Sequence, residues 1–389
     1  MSDVPGCPRL LVITNDFPPR LGGTQQYVGN LVAQLPADRV RVFAPAWEGA
    51  TAHDAALPFE VIRHPDTSIW PTPSVARTVR ELARDAEVVL FGHGLPLGLL
   101  GPALARRGVP YLVCTHGTEF WHALVPGSAG ALRRATSLAS RVFSISRAMA
   151  RVIRTTVPAH VPMSWLPPGV DVDRFDPSMS GEPARERFGL GERPVIVSVS
   201  RLVPRKGHDV LLRAMPRIHA ATGAVLLIGG TGPYERSLRA LAGDAPAGSV
   251  VFAGAIAAHD LAGVYAAADV VAVPCRNRFL GLEQEGFGIV FLEAAAAGKA
   301  SVAGRSGGVE EAVVDGATGV LVDPGDLEDV SRAVIDLLGD PVRAAAMGRA
   351  GRRRAEERFA WPYLADVLVG HLRTAVERPG PTAEPVCED

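Results

Sequence analysis

Short apolar runs alternate with helix-like stretches along this chain, and that alternation leaves few folds open to it. "RLLVITN" (9–15), "RVRVFAP" (39–45), "FEVIRH" (59–64), "EVVLFGH" (87–93), "PYLVCTHG" (110–117) and "RVFSIS" (141–146) have strand length and β-branched content. Most precede a helical pattern such as "GTQQYVGNLVAQL" (23–35). Continuous apolar strands buried on both faces and separated by helices imply a parallel sheet with right-handed crossovers. The pattern breaks at "MSWLPPGVDVDRFDPSMSGEPARERFG" (163–189), whose Pro, Gly and Asp content reads as a linker. It restarts with "RPVIVSVSRL" (193–202), "GAVLLIGGTG" (223–232), "SVVFAGAI" (249–256), "ADVVAVPC" (268–275), "ASVAG" (300–304) and "GVLVDPG" (319–325).

The expectation is an α/β chain of two doubly wound, Rossmann-like domains, at residues 1–175 and 185–360. A closing helix at about 360–378 is expected to pack back on the first domain. A length of 389 residues suits two cores better than one. Open parallel sheets bind ligands beyond the carboxyl ends of their strands, so two in tandem predict a deep cleft that both domains face.

Composition excludes several classes. A net charge of −1 gives no global case for nucleic acid. Residues 1–175 carry 17 arginines and no lysine against 13 acidic residues, a net +4 that leaves −5 for the remainder. An anionic partner would therefore favour the N-terminal half. Cys7, Cys114, Cys275 and Cys387 are scattered, with no metal-ligand spacing, so neither a disulfide framework nor a metal site is expected. The opening "MSDVPGCPRLLVITNDFPP" lacks the pattern of a signal peptide, and a cytoplasmic protein is expected. "VVLFGHGLPLGLLGPALA" (88–105) is interrupted by glycine and proline and reads as strand, turn and helix rather than a membrane span.

One stretch raises a chemical question. In "EGFGIVFLEAAAAG" (285–298), Glu285 and Glu293 flank a neutral run suited to an interior. Burying an unpaired carboxylate costs several kcal/mol. Either both are surface charges, or something polar and neutral lies between them.

"EGFGIVFLE" resembles the E-x7-E signature of the retaining family-four glycosyltransferases, which have the two-domain GT-B fold. "TNDFPPRLGGTQQYV", "SVSRLVPRKG", "LIGGTGP", "FAGAI" and "SGGVEEAVVDGATGVLV" resemble the family's other motifs, in its order, over about residues 9–365. "TNDFPP", "THG" before a Glu, and "PCRNRFLGLEQEGFGIVFLEA" look most like the actinobacterial phosphatidylinositol mannoside mannosyltransferases.

The resemblance implies a nucleotide-sugar donor along the second domain's strand ends. Its diphosphate would rest on Gly286, Phe287, Gly288, Ile289 and Val290, where a glycine loop enters a helix whose first N–H groups are unpaired. Glu285 would hold hydroxyls of the transferred sugar and Glu293 the ribose hydroxyls, so that neither needs a salt bridge. Arg201 and Lys206 would neutralise the departing diphosphate, an electrostatic role that needs no metal, while Arg205 is expected to face solvent. Gly22 and Gly23, with Arg20 beside them, would let backbone approach the donor. His116 would contact the donor sugar near the reacting carbon, and Ile256 the base. "RNR" (276–278) would set a basic loop near the donor, which favours guanine and hence GDP-mannose. Catalytic roles thus fall to His116, Glu285, Arg201 and Lys206, with no cofactor expected.

The acceptor is implied to be a phosphatidylinositol-mannoside-like lipid, met by Glu119, Phe120 and Trp121. The family's mannosyltransferases typically read HGHE where this chain reads HGTE, and Thr118 opens the acceptor's identity to question. The same chemistry on a soluble natural-product or saccharide acceptor, with another nucleotide-sugar donor, is the alternative. A nucleotide-sugar epimerase or a non-enzymatic carbohydrate-binding relative fits the motif set less well. Arg133, Arg134, Arg141, Arg147, Arg151 and Arg154 suggest peripheral docking on anionic lipid at the inner face of a membrane, the last three lining one helix face.

Overall fold

The structure, a computed structural model, describes residues 6–20, 22–117, 122–123 and 125–381. The chain forms two compact units. One takes the chain up to Gly169 and again from Trp361, and the other spans Val170–Ala360.

The first unit holds a wholly parallel sheet of seven strands: β1 (Leu10–Ile13), β2 (Val40–Pro45), β3 (Glu60–His64), β4 (Val88–Phe91), β5 (Tyr111–Thr115), β6 (Arg141–Ser144) and β7 (Met163–Trp165). Their spatial order is β3-β2-β1-β4-β5-β6-β7. β1, β4 and β5 are buried at every residue, which is why their sequences are apolar runs rather than alternating ones. β7 lies where the sequence suggested only linker. It is a half-buried edge strand paired with β6 from Met163 to Trp165, too short and too close to Pro162 and Pro167 to read as a strand. The apolar stretch 88–105 folds as β4, a 3-10 turn (Leu97–Leu100) and a helix (Gly101–Ala105). Among the described residues, no helix is long and apolar enough to cross a membrane.

The terminal helix, Trp361–Glu377, buries Trp361, Leu364, Ala365, Leu368, Val369, Leu372 and Ala375. Steps of three and four put these on one face, which covers β4, β5 and the Gly23–Val32 helix. Each large aliphatic side chain buried this way contributes roughly 1.5–3 kcal/mol.

The second unit repeats the plan with β8 (Val195–Val199), β9 (Val225–Gly229), β10 (Val250–Gly254), β11 (Val270–Val273), β12 (Ser301–Gly304) and β13 (Gly319–Val322). The order is β10-β9-β8-β11-β12-β13, again all parallel. Much of the expected linker belongs to this unit. Arg352 Nη1 donates to the carbonyls of Val172, Phe175 and Ala296, which ties the segment down.

Strand order reverses between β1 and β4 in one sheet and between β8 and β11 in the other. At such a switch point successive crossovers leave on opposite faces, so the loops beyond the carboxyl ends part and leave a crevice. In the second unit those loops are 200–207 and 274–288, and in the first they begin at Thr14 and Gly92.

Candidate active site

Loop 200–207 ends at Gly207, which has φ 75 and caps the helix His208–Thr222. A Cβ there would meet the Pro274 carbonyl oxygen at 2.0 Å, so only glycine lets the two switch-point loops touch. Arg276 N also donates to Arg205 O at 2.8 Å. The chain is thereby drawn close enough for Lys206 Nζ to stand 2.8 Å from Glu285 Oε2, with both side chains about nine-tenths buried. The Cys275 thiol points at the same oxygen from 3.8 Å. Glu285 is also held through its backbone: its N–H donates to Ser306 Oγ at 3.1 Å, and its carbonyl accepts from Gly308 at 3.0 Å.

The electrostatics follow from this packing. Burial opposes charge on Glu285, but the Lys206 ammonium and then Arg205 outweigh it and hold the carboxyl below its ordinary value. Burial likewise opposes charge on Lys206, and Glu285 outweighs it, so the amine stays protonated. Burial pushes the Cys275 thiol up to about 12 and keeps it neutral. The expectation that Glu285 needs no salt bridge is therefore overturned. In a site this dry, a carboxylate with only neutral donors would be the costlier arrangement. Arg205 is corrected as well: it is half-buried, its Nε is shielded from solvent, and its charge acts on Glu285.

The helix Ile289–Ala296 starts from Gly288, which has φ 94 and ψ 62 and no capping side chain. A Cβ on Gly288 would meet the Phe291 ring at 2.6 Å. The first-turn N–H groups of such a helix carry partial positive charge toward whatever lies before it. Gly286 and Phe287 lead into it, with Phe287 buried against Phe359, and Val290 lies in its first turn. Glu293, one turn in, accepts from the hydroxyl of fully buried Tyr265 at 2.7 Å. Burial pushes Glu293 up to about 7, against the Tyr265 hydrogen bond, which pulls it down. Two carboxyls of one segment thus have pKa values driven in opposite directions.

Arg201, just past β8, is exposed. Ile256 follows β10, its Cδ1 only 2.3 Å from where a Cβ on Gly229 would lie. The basic loop 276–278 is less basic than its sequence suggests. Asp209 takes Arg276 through two contacts of 3.0 Å, and Glu283 takes Arg278 at 2.8 Å.

In the first unit, His116 follows β5, and its Nε2 donates to Gly92 O at 2.8 Å. That bond fixes the Nε2–H tautomer. The ring rests edge-on against Tyr27 at 4.8 Å and beside His93 at 4.7 Å. Gly22 is the N-cap of the Gly23–Val32 helix, and a Cβ there would run into Gln25, whose amide Nε2 donates to Asp16 Oδ1. Arg20 stacks over Trp47 at 4.8 Å and pairs loosely with Asp16 at 3.9 Å.

Sequence reasoning passed over Asp16 and His93. Asp16 Oδ2 lies 3.2 Å from His93 Nδ1. With Asn15 and His122 they line a cavity of about 250 Å³ beyond the carboxyl ends of β1 and β4. The available signal was positional, since both residues directly follow apolar strands. Glu119, Phe120 and Trp121, with Thr118, lie outside the described residues.

The expected arginine face is kept only in part: Arg147 and Arg151 are exposed, with Arg133 and Arg134, but Arg154 is not free to join them. Arg154 turns onto the loop after the Arg147–Ile153 helix, donating to Val157 O, Val161 O and Pro158 O, Arg147 lies 5.5 Å over the Trp165 ring, and Arg141 is buried in β6. A different basic surface exists: exposed Arg77, Arg84 and Arg107, with Arg80, surround a crevice of about 440 Å³ floored by Leu104 and Val109. Among the described residues, no group of acidic, His and Cys side chains is arranged to hold a metal.

Two Rossmann-like parallel sheets, with charged side chains gathered at the switch point of the second, define the GT-B class of glycosyltransferase. Solved structures agree on the fold. Anabaena HepE in complex with UDP superposes with a TM-score of 0.78 at 20% identity, over 94% of this chain and 100% of that one. WaaG, a glycosyltransferase of lipopolysaccharide biosynthesis, gives 0.67 at 20% identity, over 92% and 99%. Residues 21–174 match the family described as Glycosyltransferase Family 4, and residues 182–354 match Glycosyl transferases group 1. A GDP-mannose-dependent alpha-(1-6)-phosphatidylinositol monomannoside mannosyltransferase of Mycolicibacterium smegmatis is 44% identical over 375 residues, 93% of this chain and 98% of that protein. The GDP-mannose-dependent monoacylated alpha-(1-6)-phosphatidylinositol monomannoside mannosyltransferase of Corynebacterium glutamicum is 40% identical, over 94% and 98%. The chain belongs to glycosyltransferase family 4 and is a glycosyltransferase.

Proposed function

We propose that this enzyme transfers mannose from GDP-mannose, with retention and without a metal, to a phosphatidylinositol-monomannoside-like lipid. Relatives at 44% and 40% identity over nearly their whole length carry that donor and acceptor class in their names. The observation that carries the chemistry is the buried Lys206–Glu285 pair set just before the Ile289–Ala296 helix.

In this reading the diphosphate rests on the first-turn N–H groups at Ile289 and Val290. Arg201 and Lys206 neutralise it as the bond to the sugar breaks. An ammonium has three donors, so Lys206 serves a phosphate oxygen while keeping Glu285. Glu285 then holds sugar hydroxyls from a fixed position, and Glu293 takes the ribose. His116, its ring locked by Gly92 and Tyr27, is assigned to the transferred sugar. Glu285 already balances Lys206 and is anchored at both ends of its peptide, which suits an electrostatic and positioning role better than a nucleophilic one. The departing diphosphate accepts the acceptor's proton.

The acceptor's polyol head fits the cavity of Asp16 and His93, where a carboxylate and an imidazole offer acceptor and donor atoms to ring hydroxyls. Peripheral contact with anionic lipid is assigned to the Arg77, Arg84 and Arg107 surface.

The test is direct. Purified enzyme with GDP-mannose and vesicles bearing phosphatidylinositol monomannoside should form the dimannoside in EDTA, with the α-configuration retained by NMR. Equal rates from UDP- or ADP-sugars would remove the donor assignment. Transfer only to soluble saccharides would remove the lipid acceptor.

A further inference from the structure

His208 is fully buried, yet both its ring nitrogens meet hydroxyls: Nδ1 lies 3.0 Å from Ser198 Oγ and Nε2 lies 2.8 Å from Ser200 Oγ. Burial, helped by the Lys206 charge nearby, pushes its pKa down to about 3, so the ring is neutral wherever the enzyme works. A neutral imidazole has one donor and one acceptor nitrogen. One serine must therefore donate a hydrogen bond to the ring while the other accepts one from it. The three side chains form a directed, fully satisfied relay.

The relay's position gives it meaning. Ser198 lies in β8, Ser200 just beyond it, and His208 is the first residue of the following helix. The ring thus ties together the two ends of loop 201–207, which carries Arg201, Arg205 and Lys206. Ser200 Oγ also reaches Arg201 O at 3.3 Å. At the far end, Gly207 is pressed on Pro274. An apolar residue would fill the same core volume, but it would release the loop's first half and leave the buried Ser198 hydroxyl, and the half-buried Ser200 hydroxyl, without the ring they meet.

We propose that His208 is a positioning residue for nucleotide-diphosphate binding, acting through Ser198 and Ser200 to set Arg201 and Lys206 without touching the ligand. This rests on the donor-site reading above. Groups that act through one another give non-additive losses, whereas independent groups multiply.

Isothermal titration with GDP provides the test, on wild type, H208L, H208Q, R201A and R201A/H208L. H208L is expected to weaken GDP about tenfold. H208Q, whose amide keeps one donor and one acceptor, should recover most of that. In the R201A background H208L should cost clearly less than in wild type, keeping only the part that acts through Lys206. S200A, which deletes a single hydroxyl, carries the same test if H208L does not fold. GDP affinity within twofold of wild type in both H208L and S200A, or losses from R201A and H208L that simply multiply, would overturn the positioning role. Wild-type enzyme that bound no GDP would instead sink the donor site, and this role with it.

Discussion

Lys206 and Glu285 lie 79 positions apart in the chain, yet their charged atoms meet at 2.8 Å in a nearly dry site. Removing either partner strands the other charge, which typically costs about 3–5 kcal/mol. E285A should therefore both abolish mannose transfer and lower the melting temperature, whereas E285Q should fold more nearly normally and still lose turnover by at least about a hundredfold. Calorimetry beside a transfer assay separates the two effects. Normal turnover in E285Q would refute the electrostatic role given to this carboxylate.

Glu293 supplies a pH signature. Its folded pKa of about 7 stands above the ordinary 4.5 because burial disfavours the charged form. The folded protein therefore binds more protons at this site than the unfolded chain does between those values. Stability from this site is fully present below about 4.5 and is lost as pH rises through about 7, by on the order of 3 kcal/mol. E293Q should flatten that part of a melting-temperature profile. Y265F removes the hydrogen bond that pulls the pKa down and should move the inflection upward. An unchanged profile in E293Q would assign the slope to another group.

The fold was legible because its signal is repetitive: twelve short runs matched twelve strands, and among the described residues only three-residue β7 at a half-buried edge escaped. Most donor-side residues were named because two short segments, 201–206 and 285–293, resemble family motifs. Their partnerships were not legible. Nothing local in "PRKG" or "RNR" announces that Lys206 will meet Glu285 or that Asp209 will take Arg276, since such pairs exist only once the sheet brings the loops together. Arg154 illustrates the converse. Helical spacing placed it on a face with Arg147 and Arg151, but carbonyls of the loop that follows the helix claimed its guanidinium.

The Asp16–His93 pair predicts a separation of acceptor from donor effects. D16N and H93Q should each raise the lipid acceptor's KM by about tenfold, as expected for one lost hydrogen bond to a ring hydroxyl. GDP affinity, measured by titration, should stay within about twofold because the proposed diphosphate contacts lie on the other sheet. A loss confined to GDP would move these residues to the donor side.

The basic crevice predicts a salt-dependent attachment. Arg77, Arg84 and Arg107 are exposed, and each cation near an anionic bilayer contributes about 1 kcal/mol, an attraction that decays over a Debye length of about 8 Å at physiological salt. Replacing all three by glutamine removes the attraction without introducing repulsion. The triple variant should therefore stay in the supernatant when spun with vesicles rich in phosphatidylinositol, while wild type sediments at low salt and is released as salt rises. The contrasting control is R147Q/R151Q on the helix Arg147–Ile153, which should sediment like wild type. If that pair abolished sedimentation and the triple variant did not, the docking surface would belong to the Arg147–Ile153 helix, because the smaller loss of charge would then have had the larger effect.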